Sequence, residues 1–459
     1  MDRLDLKAYA GLFKTYTELR VQENRTIQIS FVKGSNTVNV RSATSGVSAR
    51  AYHNGSWGFA SSPELTQDAI VAVIKQATEN ALFLDSRERR EKGPLPVSVV
   101  SSENDFSTKK QRLGQKELVG FVRQIDDEIA RRYPKLASRT VILRCLDMEK
   151  TLLTSDGSYS HSMIPRSQIH ILLSVEKDGA PVELMDSYGG LGQFEDVFES
   201  PSSLWEGIER QYEHLMKKSE GVFAEAGVKT CVLDAELAGI LAHEAIGHTC
   251  EADLVMGGSV AGDWIGKEVA SPLVTLVDFA NTALGQTCPV PVYVDDEGTR
   301  AEDVVIIEKG VLKSFLHNKE SARHFGAEPK GNARAFLFSD EPLIRMRNTA
   351  ILPGTSKLED MIASVDDGYY LIKPSNGQAD LTSEFMFGVT LGYEIKGGKL
   401  RRAIKDTTIS GVAFDMLKTV SMVSNEMKWL SHGMCGKKQN IPVGMGGPAI
   451  KCRVTIGGR

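Results

Sequence analysis

Lys229 to His248 reads KTCVLDAELAGILAHEAIGH, a short strand that runs straight into a helix. Lys229 to Leu233 supplies the strand. Asp234 can cap the helix, and Glu236 sits in its first turn, where the helix dipole favours an acid. The helix then presents His243-Glu244-x-x-x-His248. On either side of this stretch the pattern of the chain differs, and that contrast sets the fold class.

Upstream, helices and long strands are mixed. A first helix is expected over Leu4 to Thr15. Ile27, Ile29 and Phe31 alternate with Thr26, Gln28 and Ser30, the period of a half-buried strand. Turns at Gly34-Ser35-Asn36 and at Ser45-Gly46 divide an antiparallel meander. Ser62 followed by Pro63 predicts a helix start, and Ile70, Val73, Ile74, Ala77 and Ala81 form its apolar stripe. A second helix carries Leu118, Phe121, Val122, Ile125 and Ile129 and stops before Pro134. Asp156-Gly157 and Asp178-Gly179 mark hairpin turns between long strands. A third helix turns Trp205, Ile208, Tyr212 and Leu215 inward and ends in Lys217-Lys218, favourable charge at a C-terminus.

Downstream of Gly221 helical pattern is sparse. Short strand-like runs follow at Pro291 to Val294, Val304 to Ile307, Val311 to Phe315, Tyr369 to Ile372 and Val389 to Ile395. The expectation is an α+β protein: an N-terminal mixed α/β domain with an antiparallel sheet over 1–220, then a larger β-rich domain over 221–459.

Two histidines and a glutamate on one helix are the ingredients of a hydrolytic metal site, because imidazole binds Zn²⁺ or a similar ion and the glutamate can deprotonate bound water. The usual spacing places the histidines four apart, about 40° of helical rotation. Here it is five, which on an ideal helix separates His243 and His248 by about 140°. A one-residue π-bulge would bring both rings to one side, and Gly247 is a permissive place for it. A third ligand could come from Glu251, Asp253 or Cys250 nearby, from the acidic turn Asp295-Asp296-Glu297-Gly298, or from Cys435 in the Gly- and Pro-rich run Gly433 to Pro448. Spacing alone does not choose among them.

Composition narrows the function classes. Of 459 residues, 54 are Lys or Arg and 59 Asp or Glu, so the chain is mildly acidic at -5 and a poor partner for nucleic acid. Its densest basic cluster, RERREK from Arg87 to Lys92, mixes in acids and reads as a solvated helix end. No apolar run approaches the ~18 residues of a membrane span, and the start shows no secretory leader. Six cysteines without disulfide-framework spacing fit reduced thiols in a cytoplasm.

The motifs HEAIGHTCEADLV (His243 to Val255), VDDEGT (Val294 to Thr299), GNARA (Gly331 to Ala335), RMRNTAILPG (Arg345 to Gly354), GQADLTS (Gly377 to Ser383) and MCGKKQNIPVGMGGP (Met434 to Pro448) occur in one order. In them the chain closely resembles the TldD/PmbA family, modulators of DNA gyrase that act as peptide-processing metalloproteases. The intact His-Glu-x-x-x-His resembles the TldD-like branch; the PmbA-like branch lacks it. The resemblance implies one divalent metal ion held by His243, His248 and Cys435, with Glu244 as catalytic base. Such a His₂Cys set suits Zn²⁺ and also Fe²⁺. It further implies a β-barrel-like C-terminal domain and a dimer enclosing the site, either a homodimer or a heterodimer with a PmbA-like subunit. Unfolded or modified peptides in extended form are the implied substrates. A non-catalytic partner or scaffold subunit is the competing reading. One departure is Phe385-Met386-Phe387 after Glu384, where a Gly-Lys pair is expected in the TldD-like branch. His317, His324, His432 and Arg334 are candidates to stabilise an oxyanion.

Overall fold

The computed structural model describes residues 4–88 and 92–457. Its N-terminal half is a seven-stranded sheet built on two very long hairpins. Strands β1 (Tyr16–Val32), β2 (Ser35–His53) and β3 (Ser56–Ser62) form an antiparallel meander, and β1 also pairs along its length with β5 (Ser138–Thr154). Strand β5 pairs with β6 (Tyr159–Lys177), which carries β7 (Ala180–Leu191) and the short parallel strand β4 (Ser101–Asp105). The turns at Asp156-Gly157 and Asp178-Gly179 close the β5–β6 and β6–β7 hairpins, with positive φ at both glycines.

Helix α1 (Gln67–Glu88) buries the stripe Ile70, Val73, Ile74, Ala77 and Ala81 against β2 and β3. Helix α2 (Gln115–Arg132) buries Leu118, Val122, Ile125 and Ile129, with Phe121 partly covered beside them. Helix α3 (Trp205–Ser219) packs on β6 and β7 through Ile208 and Leu215.

Several local expectations are corrected. The first helix is a 3₁₀ segment limited to Leu6–Leu12. There is no turn at Ser45-Gly46, because β1 pairs with β2 through both residues. Gly46 answers to packing instead: a Cβ there would lie 2.5 Å from the Phe338 ring. Helix α1 starts four residues after Ser62-Pro63, and Thr66 Oγ1 accepts from the Ala69 amide as its cap. Lys218 is no ordinary helix-end charge. It is buried, and its Nζ donates to the Glu183 carbonyl and pairs with Asp406 at 2.6 Å. Of the RERREK run, residues 89–91 lie outside the described residues; Lys92 pairs with Glu320 at 3.0 Å.

The C-terminal half is a larger sheet, part of which closes on itself. Strand β8 (Gly227–Leu233) leads into helix α4 (Ala235–Leu241), and short strands β9 (Leu276–Phe279), β10 (Val304–Glu308), β11 (Val311–Leu312) and β12 (Asn348–Ile351) follow. Then come β13 (Asp367–Ala379), β14 (Glu384–Lys396), β15 (Lys399–Ile404), β16 (Thr407–Val412), β17 (Met422–Leu430) and β18 (Gly444–Gly457). The pairings β8–β13, β13–β14, β14–β16, β16–β18 and β18–β8 complete a closed five-stranded barrel, which removes its free edges. The run Gly444 to Pro448, read as loop, is the start of β18; Pro291 to Val294, read as strand, is irregular. Phe385 and Phe387 stack at 5.0 Å in the apolar core, and Met386 between them is exposed.

The two halves share one apolar cluster. It runs from β5, β6, α2 and α3 to Val232, Tyr370, Leu391 and Tyr393 of the barrel strands. Charged ties reinforce it. Arg50 of β2 bridges Glu18 of β1 (2.9 Å) and Glu297, while Lys150 of β5 holds Asp296 at 2.7 Å. The VDDEGT turn is thus a clasp between the halves, and among the described residues its carboxylates join no candidate metal group. Asp295 caps that turn by accepting from the amides of Glu297, Thr299 and Ala333. Among the described residues no helix is long and apolar enough to cross a membrane.

Candidate metal centre

Helix α4 lies against the start of β18, and glycines on both sides let the backbones meet. A Cβ on Gly239 would stand 3.0 Å from the Gly446 nitrogen, and the Cβ of Ala238 faces Gly447. Asp234 takes the cap position, but its carboxylate accepts from the Tyr370 hydroxyl (3.0 Å) and not from the helix amides. Glu236 pairs with Lys373 at 2.8 Å.

After Leu241 the helix widens into a π-helical turn, Ala242–Gly247, and ends in a short 3₁₀ turn, His248–Cys250. The wider turn absorbs the fifth residue between the histidines. Both rings therefore lie on one side, with centroids 5.3 Å apart and planes at 79°. Gly247 has ordinary helical dihedrals, so its value is space: a Cβ there would lie 1.9 Å from the Met346 sulfur.

Cys435 arrives from the far end of the chain. Met434–Cys435 pairs with Ile441–Pro442 in a small hairpin whose tip includes Lys438 at φ 56°. One donor atom each from His243, His248 and Cys435 falls within 4.8 Å of the others. The Cys435 sulfur is 3.3 Å from His248 Nε2. Tetrahedral ligation by two nitrogens and a sulfur needs separations of about 3.5 Å, which the sulfur–Nε2 distance already approaches.

The protonation pattern fits this donor set. His243 is fully buried, and neither ring nitrogen makes a hydrogen bond of good geometry, an arrangement that a ligand can relieve. Burial opposes ionisation of the Cys435 thiol, but the adjoining His243 and His248 outweigh it and draw the thiol down to about 3. Burial likewise opposes charge on His248, yet Glu251 and Cys435 raise it well above its ordinary value. Glu244 Oε2 is 3.6 Å from His248 Nε2, and its side chain is 21% exposed, so it stands at the mouth of the trio.

The other sequence candidates engage other partners or support the trio. Buried Glu251 accepts from His248 Nδ1 at 3.0 Å and so fixes the ring with Nε2 toward Cys435. Asp253 pairs with Lys437 at 2.6 Å, and the buried Cys250 thiol is pushed up to about 12. His317 meets Ser321, His324 sits edge-on to Phe325, His432 edge-on to His170, and Arg334 donates to the carbonyls of Met346 and Pro442.

Two positioning residues escaped the sequence reading. Arg345, fully buried, donates to the carbonyls of Cys435 (2.6 Å), Lys437 (3.1 Å) and Gln439 (2.9 Å), gathering the thiol loop on one guanidinium. Lys437 reaches back to Glu251 at 3.0 Å, tying that loop to the histidine helix. The available signal was Arg345-Met346-Arg347 beside an apolar strand, where alternation turns both arginines to one face and Met346 to the other. If Glu251 orients a metal-ligating His248, Glu251→Gln is expected to weaken metal binding about 10–100-fold, read by competition with a chromogenic chelator. An unchanged affinity would contradict that role.

Comparison with known proteins identifies the family. Residues 226–458 match the profile of the PmbA/TldA metallopeptidase C-terminal domain, and residues 17–81 match the PmbA/TldA metallopeptidase domain 1. The chain is 32% identical over 461 residues to a metalloprotease TldD homolog of Buchnera aphidicola subsp. Acyrthosiphon pisum, covering 96% of this chain and 92% of that one. It is 27% identical over 416 residues to a zinc metalloprotease TldD homolog of Saccharolobus solfataricus, covering 90% of each. The crystal structure of TldE from Thermococcus kodakarensis superposes with a TM-score of 0.75 at 19% identity, over 99% of both chains. The chain belongs to the PmbA/TldD family of metallopeptidases.

Proposed function

We propose that this metallopeptidase hydrolyses unfolded or modified peptides bound in extended form, with His243, His248 and Cys435 holding one divalent cation and Glu244 as the base. The observation that carries this reading is the convergence of the three donor atoms within 4.8 Å, with the Glu244 carboxylate beside them. A cation bound there would polarise the scissile carbonyl and acidify a water. The Glu244 carboxylate takes the proton of the attacking water and passes it to the leaving amine nitrogen. Glu251 and Lys437 keep the His248 ring and the Cys435 loop in register while this happens.

With a thiolate in the set, the site's charge is about +1, lower than three histidines would leave, so the proton acceptor matters more. The borderline-soft N₂S set favours Zn²⁺, with Fe²⁺ as the other candidate; the Saccharolobus relative's name points to zinc. The extended substrate, the pairing with a second copy or a PmbA-like subunit, and a cytoplasmic setting rest on the family resemblance. A scaffold reading leaves Glu244 at the mouth without a task. The test is cleavage of an unfolded casein fragment, expected to stop on chelation and return with one equivalent of Zn²⁺. Cleavage that survives metal removal, or none with metal loaded, would overturn the proposal.

A further inference from the structure

Between the β5–β6 face of the N-terminal sheet and residues 290–296 lies a cavity that opens to solvent. Leu146, Met148, Ile164 and Val292 give it an apolar stretch of wall, and Lys150, Arg166 and Arg334 line it as well. Lys150 has its counter-charge in Asp296, which Arg20 also approaches at 3.6 Å. Asp295 is turned into its own turn and accepts three backbone amides.

The two guanidiniums have no such partner. Arg166 is 5% exposed; its Nη2 donates to the Ser431 carbonyl, and its Nε has no acceptor. Arg334 is 6% exposed and donates only to the carbonyls of Met346 and Pro442. Among the described residues neither forms an ion pair with a carboxylate. Burial lowers Arg166 to about 10; burial and the neighbouring Arg345 lower Arg334 to about 9, although Asp296 and Asp278 at longer range oppose the shift. Buried charge of this kind is tolerated when a partner neutralises it.

We propose that this cavity is a second binding site, which takes the free carboxylate of a small acid or peptide end carried on an apolar residue. Two guanidiniums and an apolar wall match the two ends of such a ligand, and a planar carboxylate suits the guanidinium fork. Pro442, whose carbonyl Arg334 holds, pairs with Met434 next to Cys435, so the site lies one hairpin from the candidate metal centre.

The inference does not need the peptidase reading, since its readout is binding. Titration calorimetry on the full chain would compare N-acetyl-leucine, its amide, and inorganic phosphate. The acid is expected to bind about tenfold or more tightly than the amide, and Arg166→Gln is expected to erase that preference. Ile164→Trp, which fills the apolar wall, is expected to weaken the acid as well. Equal binding of acid and amide, binding of phosphate alone, no binding by any probe, or an acid preference that survives Arg166→Gln would each overturn it. The acid–amide comparison uses the unaltered protein and decides even if a variant fails to fold.

Discussion

Glu244→Gln is expected to lower kcat/KM on an unfolded peptide by about 10²–10⁴-fold while bound metal stays near one equivalent. The glutamine keeps the shape of the side chain but accepts a proton poorly. The change replaces none of the three donor atoms, and the side chain is already partly exposed, so folding should be little altered. Peptide cleavage and metal content measured on the same sample separate the two roles. Full activity in the variant would remove Glu244 from the chemistry, and loss of metal would make it a ligand or a support instead of a base.

Arg347→Met should cost about 3–5 kcal/mol of stability. Arg347 and Asp278 are both fully buried, and Nε lies 2.8 Å from Oδ2. The same guanidinium donates to the carbonyls of Lys330, Asp278 and Glu302, closing three segments around one cation. Removing it leaves the Asp278 carboxylate buried without its counter-charge, although the amides of Arg347 and Asn348 and the Asn332 amide group still donate to it. Met346 and Arg345, the adjoining residues, cover Gly247 and gather the Cys435 loop, so metal affinity should fall alongside stability. Denaturant unfolding reads the first effect; a loss below about 1 kcal/mol would show that the pair contributes little.

Periodicity reads best where a segment's partner is local. The stripe from Ile70 to Ala81, the Asp-Gly hairpins and the His243-Glu244-His248 helix could be recognised because neighbours within a few residues settle them. The β2 strand misled at Ser45-Gly46, because a seventeen-residue partner strand overrides turn composition and the glycine is needed for the Phe338 ring. Barrel closure pairs Gly227 with Ile456, a contact that no local pattern encodes. A truncation after Gly433 would delete β18 and with it the barrel, so loss of metal in such a protein would report unfolding. For the third donor, local spacing had left Cys435 among several candidates. What brings its sulfur to the histidines is buried Arg345, whose face alternation indicates but whose partner loop it does not, and the Lys437–Glu251 tie, which no local pattern encodes.

X-ray absorption at the metal edge of freshly purified protein tests the central claim most directly. The expected first shell holds two imidazole nitrogens at about 2.0–2.1 Å and one sulfur at about 2.3 Å, with the sulfur signal absent in Cys435→Ala. A metal bound stoichiometrically with no sulfur neighbour in the unaltered protein would contradict the account.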